Sequence, residues 1–231
     1  MVWSVPKIWK GGDVWILGGG PSVIQQFYMP SDIVSQVLEG KLPVSAYSPY
    51  MEPIHKKHVI GVNAAFEIGT WIDMVVFGDS KYFVNHRKKM ALFPGLRVGC
   101  TPAARTASWA KELDRDGKKP YGLTMNPTKV SWNGNSGSAA INVAVHTGAK
   151  RIFLLGFDMK LAGGEKHWHR VYSKGKPIKR VGIQLPFPKH LVGFPAIKED
   201  ADKLGVQIFN VCPDSAIKEF PKLTLKEALL L

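Results

Sequence analysis

The apolar residues of this chain fall in short runs separated by glycine-ended turns and by segments of helical composition. Val14 to Leu17, Val59 to Val62, Met74 to Phe77, Leu96 to Gly99, Arg151 to Leu155 and Val206 to Val211 each have the length of a buried strand. Between them, Ser80 to Leu92, Ala103 to Leu113, Ala139 to His146 and Ala196 to Leu204 read as helices, with Gly148 and Gly205 closing the last two. Near-continuous apolar strands alternating with helices predict an α/β, Rossmann-like fold, a mostly parallel sheet covered by helices on both faces. No internal repeat interrupts the pattern, and 231 residues suit one domain over 1–231. The stretch 160–192, rich in Pro, Gly and Lys, reads as a basic lid or insertion over the carboxyl edge of the sheet.

The first run empties into Gly18-Gly19-Gly20, after which Pro21-Ser22 opens a helix. Glycines let backbone approach a ligand, and a helix start favours a phosphate, so this turn reads as a nucleotide site; a plain tight turn is the competing reading. In a parallel sheet the carboxyl ends of the strands share one rim where ligands bind. Ser22, Asn63, Asp79 and Asp158 all stand at such ends. Asn63 occupies a position where dinucleotide enzymes carry an acid, which disfavours hydride transfer; its amide suits a base or a ribose. Asp79 reads either as a ligand group or as a helix cap before Ser80, and Asp158 either as a site residue or as a turn. Asn135-Ser136-Gly137-Ser138 offers a second helix start, and two such N-termini facing each other would suit a diphosphate.

The formal net charge of +13 and a pI near 9.7 widen the partners to polyanions: nucleic acid, anionic surfaces or phosphorylated ligands. The excess concentrates in the lid, where Lys160, Lys166, Arg170, Lys174, Lys176, Lys179, Arg180 and Lys189 face only Glu165. Cys100 and Cys212 form no CxxC pair, which suits a reduced cytoplasm and argues against a disulfide framework. Met1 to Gly12 lacks the apolar core of a signal peptide, and no run has spanning length, so the expectation is a soluble cytoplasmic protein. His167-Trp168-His169 places two imidazoles on one side of an extended segment. No acid or cysteine stands at zinc-like spacing, so acid–base or phosphate contact is favoured over a metal. His190, on the lid, is a further candidate.

Leu17 to Ser22, Gly61-Val62-Asn63, Asn135-Ser136-Gly137, Gly156-Phe157-Asp158 and the tail Cys212-Pro213-Asp214-Ser215 together resemble the bacterial sialyltransferases of glycosyltransferase family 42. They also resemble a broader group that includes hydroxymethylpterin pyrophosphokinase-like proteins, of the type that phage genomes encode. The order of these short motifs, from about Asp13 to Phe220, carries the likeness. Beside Gly18, Gly19, Asp79, Asn135 and Gly137, read as donor-site residues from the strand and helix ends, the resemblance implies a nucleotide-sugar donor around Gly20, Ser22, Asn63 and Ser136. It implies a catalytic histidine on the lid, for which His190 is the nearest match, with His169, His167 and Asp158 as rivals or helpers. Lys160, Arg170 and Tyr172 would contact acceptor or phosphate. Gly19 stands where the sialyltransferases carry an asparagine and Lys160 where they carry a tyrosine, so the donor is not assigned.

The leading expectation is a glycosyltransferase acting on an acceptor hydroxyl, on modified phage DNA or an anionic glycan, with no cofactor required and, for a phage protein, in the host cytoplasm. One alternative is an ATP-dependent pyrophosphokinase-like enzyme with magnesium on Asp79 and Asp158. The other is a nucleotide- or DNA-binding protein without catalysis.

Overall fold

The computed structural model describes residues 3–161, 167–169 and 185–231. Five consecutive strands run outward from the middle of one sheet: β1 (Asp13–Leu17), β2 (His58–Val62), β3 (Met74–Phe77), β4 (Leu96–Gly99) and β5 (Lys111–Glu112). A small parallel pair follows, β6 (Asp114–Arg115) with β7 (Lys129–Val130). The chain then returns to the other side of β1 with β8 (Arg151–Leu155) and β9 (Gln207–Asn210). The order is β5-β4-β3-β2-β1-β8-β9, and every neighbouring pair is parallel. This is the α/β Rossmann-like architecture read from the apolar pattern.

The helices are α1 (Ser22–Gln26), α2 (Ser31–Glu39), α3 (Ser80–Ala91), α4 (Ser136–His146), α5 (Phe187–Leu191), α6 (Phe194–Lys203) and α7 (Leu225–Leu230). Alternate strand residues face opposite layers, as the pleat requires. Val14, Ile16, Ile60 and Val76 join α4 and α6 in one core, while Trp15, Leu17, Val75 and Phe77 join α3, α7 and the 3₁₀ stretch Val44–Ile54 in the other. Two cores, one on each face, explain why the strands read as unbroken apolar runs. No helix among the described residues is long and apolar enough to cross a membrane.

Most predicted elements fall within a residue or two of the observed ones. Ala103 to Leu113 is the exception: a 3₁₀ turn, Pro102–Thr106, leads instead into the edge strand β5. Small residues gave that segment helical composition without an apolar face to bury. The predicted α1 is a single short turn of 5 residues. The sequence reading did not delineate α2, the 3₁₀ stretch or α7. Local signals were present for two of them: Gly40 closes α2 in the left-handed region, and Thr224 with Glu227 forms a capping box on α7.

At the carboxyl edge β1 and β8 are locked together. The Gly18 and Gly20 amides donate to the Leu155 and Gly156 carbonyls, each at 2.8 Å. The Ser22 amide and hydroxyl donate to the two Asp158 carboxylate oxygens, at 3.1 and 2.9 Å. A Cβ on Gly20 would overlap Asp158 Oδ2 and come within 2.6 Å of the Gly156 oxygen. A Gly20→Val substitution is therefore expected to destabilise the protein by at least about 1–3 kcal/mol through overpacking at this joint. Urea denaturation checks it: a variant as stable as wild type means the two turns can part without cost.

Candidate functional site

Because β2 and β8 flank β1 on opposite sides, the sheet has its switch point at β1, and a crevice opens there beyond the strand ends. A cavity of about 950 Å³ occupies it. Its wall takes in the turn 18–20, Asn63 after β2, Asp79 after β3, the start of α4, the segment 156–160 after β8, and His190 on α5. The topology thus gathers most of the residues singled out from sequence. Ser22 is the exception: it is buried on Asp158 and borders a smaller cavity of about 150 Å³ beside Cys212.

The glycine turn meets the cavity, but its donors are mostly spent. Gly18 bonds the end of β8, Gly20 bonds Gly156 just beyond it and Ser22 bonds Asp158, so that of these amides only that of Gly19 has no hydrogen-bond partner among the described residues. The expectation that this turn and Ser22 together cradle a phosphate is corrected accordingly: close strand packing already requires Gly18 and Gly20, and Asp158 already caps Ser22. Asp158 is 3% exposed, and burial pushes its carboxyl above the ordinary range despite the Ser22 bonds. Asp79 caps α3 through the Tyr82 amide at 2.6 Å. Asp79 and Asp158, the pair a magnesium ion would use in the alternative reading, are thus engaged as a helix cap and as the partner of Ser22. Among the described residues no cluster of three His, Cys, Asp or Glu is arranged to hold a metal.

The start of α4 is the other anion-favouring element. Asn135 caps it, accepting from the Ser138 amide at 2.8 Å, while its own amide group donates to Ser138 Oγ and to the His190 carbonyl. That leaves the amide ends of Ser136 and Gly137 at the positive end of the α4 dipole, on the cavity wall. A buried amide network holds this corner. Asn142 bonds the Thr124 and Ser131 backbone, and Asn133, at φ 52°, bonds Gly122 and Ser131. Asn63, on the same cavity wall, is also left-handed at φ 50°, and its Oδ1 is buried with no hydrogen-bond partner among the described residues. A non-glycine residue in that region costs about 1–3 kcal/mol and tends to mark a functional site.

The His-Trp-His segment closes on the glycine turn. The Trp168 amide donates to Gly19 O at 3.1 Å, and its indole N–H donates to Gly18 O at 2.8 Å. The indole is 1% exposed, and Tyr47 Oη donates to the Trp168 carbonyl. Held by this anchor, the His167 and His169 rings stack 5.2 Å apart on the cavity wall, and His167 Nδ1 lies 3.2 Å from Gly19 O. A Cβ on Gly19 would come within 2.8 Å of His167 Nδ1. His86, which the sequence reading missed, joins this wall from α3, near Glu67 at 3.9 Å. Burial lowers the pKa of His86 and His190 and, aided by neighbouring imidazoles, takes His169 well below 6.5. Lys160 is exposed at the mouth, whereas Arg170 and Tyr172 lie outside the described residues, as does most of the expected lid.

No protein-family model matches the sequence, and no curated protein matches it. Among solved structures, the MAf glycosyltransferase from Magnetospirillum magneticum AMB-1 aligns over 96% of this chain with a TM-score of 0.57 at 10% identity. The chain spans about a third of that protein, 35% of its length. The likeness is one of fold. The sialyltransferase CstII from Campylobacter jejuni, in complex with the substrate analogue CMP-3FNeuAc, aligns over 92% of this chain and 86% of its own at 15% identity and a TM-score of 0.48. In complex with a trisaccharide acceptor and CMP it aligns at 13% identity over the same shares, with a TM-score of 0.46.

The depressed histidines set a pH dependence of stability. His146, buried on α4 with its ring N–H donated to the Lys129 carbonyl, is shifted the same way by burial. For each, the unfolded chain takes up a proton below about pH 6.5 while the folded protein resists it, so stability falls as pH drops through that value. The expected result is a melting temperature that declines steadily from pH 7.5 to pH 5, with a shallower decline for His146→Gln. An unchanged slope in that variant removes His146 from the account.

Proposed function

We propose that this chain is a glycosyltransferase that uses a nucleotide-activated sugar. The observation that carries the reading is the crevice at the switch point. There the start of α4, Asn63 and the imidazoles of His86, His167, His169 and His190 line one cavity. The order of motifs that resembles family 42 supports it, and so does the fold shared with the MAf glycosyltransferase.

In this reading the donor phosphate lies at the start of α4, by Ser136 and Gly137, and the Asn63 side chain meets the ribose or the base. Neutral His190, which burial makes reluctant to hold a proton, takes the proton of the acceptor hydroxyl. The acceptor oxygen bonds the sugar's anomeric carbon as the bond from that carbon to the phosphate oxygen breaks. The α4 dipole and the Lys160 ammonium then stabilise the charge gathering on the leaving phosphate. His169 is a weaker base in this scheme because its burial suppresses protonation further. A net charge of +13 favours an anionic acceptor, DNA or an acidic glycan.

Thermal-shift screening against CMP, UMP, GMP, ATP and their sugar conjugates tests the donor. One nucleotide and its sugar conjugate should raise the melting temperature, and a flat response to all of them rejects the reading. With that donor, His190→Ala should slow release of nucleotide ~10²–10⁴-fold, water standing in for the acceptor, while donor affinity is kept. If His190→Ala turns over normally and His167→Ala or His169→Ala does not, the base belongs to the His-Trp-His segment. An acceptor of duplex DNA predicts a log–log salt slope of about −0.9 per phosphate neutralised; a slope near zero confines the charge to a solubilising surface.

A further inference from the structure

Trp132 was no part of the motif set, yet its indole forms part of the cavity wall, between Asp79 and the start of α4. Several features fix that ring in place. Gly78 lies against the outer edge of the six-membered ring, where any Cβ would run into Cζ3 and Cη2. The Arg115 guanidinium lies over the ring at 3.6 Å, itself held by hydrogen bonds to the Gly78 carbonyl at 2.6 Å and the Cys100 carbonyl at 2.9 Å. The next residue, Asn133, is locked by its three backbone hydrogen bonds. The ring stays partly exposed, and it borders the cavity. A large aromatic surface pre-ordered at a cavity loses little entropy when a flat partner stacks on it, and base–aromatic stacking is tolerant of base identity.

We infer that Trp132 is the platform on which the base of the bound nucleotide stacks, with Arg115 as a positioning residue behind it. This rests on the nucleotide-sugar reading and adds a subsite to it. The platform stands at the end of β3, one residue from Asp79, while the phosphate end of the ligand lies at the α4 amides. The nucleotide is therefore laid along the rim from α4 toward β3, leaving the β8 side and its histidines to sugar and acceptor. A nucleoside monophosphate should bind well above ribose 5-phosphate, and the ring should account for the difference.

Calorimetric titration of wild type, Trp132→Phe and Trp132→Leu with the nucleoside monophosphate and with ribose 5-phosphate tests this. Trp132→Leu should weaken the nucleotide about 5- to 100-fold and leave ribose 5-phosphate unchanged, with Trp132→Phe between. Nucleotide affinity unchanged in Trp132→Leu overturns the platform while leaving the donor reading intact, and so does equal weakening of both ligands, which marks a structural role. If Trp132→Leu does not fold, Trp132→Phe decides alone, since a smaller ring must cost nucleotide affinity and spare the sugar phosphate. Wild-type protein that binds no nucleotide defeats both this inference and the reading it rests on.

Discussion

The whole rim depends on how closely the ends of β1 and β8 approach each other. Two glycine amides bridge to β8 carbonyls, and the Asp158 carboxylate reaches over Gly20 to the amide and hydroxyl of Ser22. Burying a carboxylate is costly, and its raised pKa registers that cost; hydrogen bonds to a charged group, worth about 1.5–3 kcal/mol each, offset it. The tail reinforces the joint: Ser215 Oγ donates to Phe157 O at 2.6 Å, and the Ala216 amide donates to Asp158 O at 2.9 Å. A turn committed in this way has few donors left for a ligand. The other helix start on the cavity wall is that of α4, where Ser136 and Gly137 stand at the positive end of the helix dipole.

The same joint positions the imidazoles. Gly18 and Gly19 offer their carbonyls to Trp168, so a largely apolar side chain becomes the anchor for two polar neighbours. Trp168 supplies the burial and two hydrogen bonds that fix the segment carrying His167 and His169. The gain in position comes with a loss in basicity. His169 is so far desolvated that its charged form is suppressed, while His190, on a one-turn helix at the opposite wall, is only half-buried and keeps more of its proton affinity. Burial, more than proximity, separates the two candidates for proton transfer.

The parts of this arrangement that were legible in the sequence are those a parallel sheet fixes by itself. A strand buried on both faces must be apolar throughout, so its end is visible as the first polar or glycine residue after the run. All such ends fall on one rim. That logic found Gly18, Asn63, Asp79 and Asp158 with their strands. It could not tell which of them would bond one another: Asp158 and Ser22 are 136 positions apart and pair only because β8 lies beside β1. His86 and Trp132 were missed for a related reason. Each sits in a segment whose own pattern is ordinary, α3 for one and the loop before α4 for the other, and only tertiary packing turns them into the cavity. The predicted helix at Ala103 to Leu113 failed because composition is a weak guide at a sheet edge, where Lys111 and Glu112 gain more from pairing with β4.

Asn63 concentrates what the rest of the structure avoids. Its backbone is left-handed at φ 50°, and its Oδ1 is buried with no partner among the described residues, whereas the similarly left-handed Asn133 is fully hydrogen-bonded through its side chain. An unsatisfied buried acceptor costs about 1–3 kcal/mol, added to the backbone strain. Glycine would remove the strain and an apolar residue the unmatched acceptor, and neither stands here, although small residues pack just beyond it at Ala64 and Ala65. Both costs fall on the cavity wall: β2 and the following 3₁₀ turn, Asn63–Glu67, hold the asparagine on the rim that the parallel strand ends share, which is where a fold places its ligand.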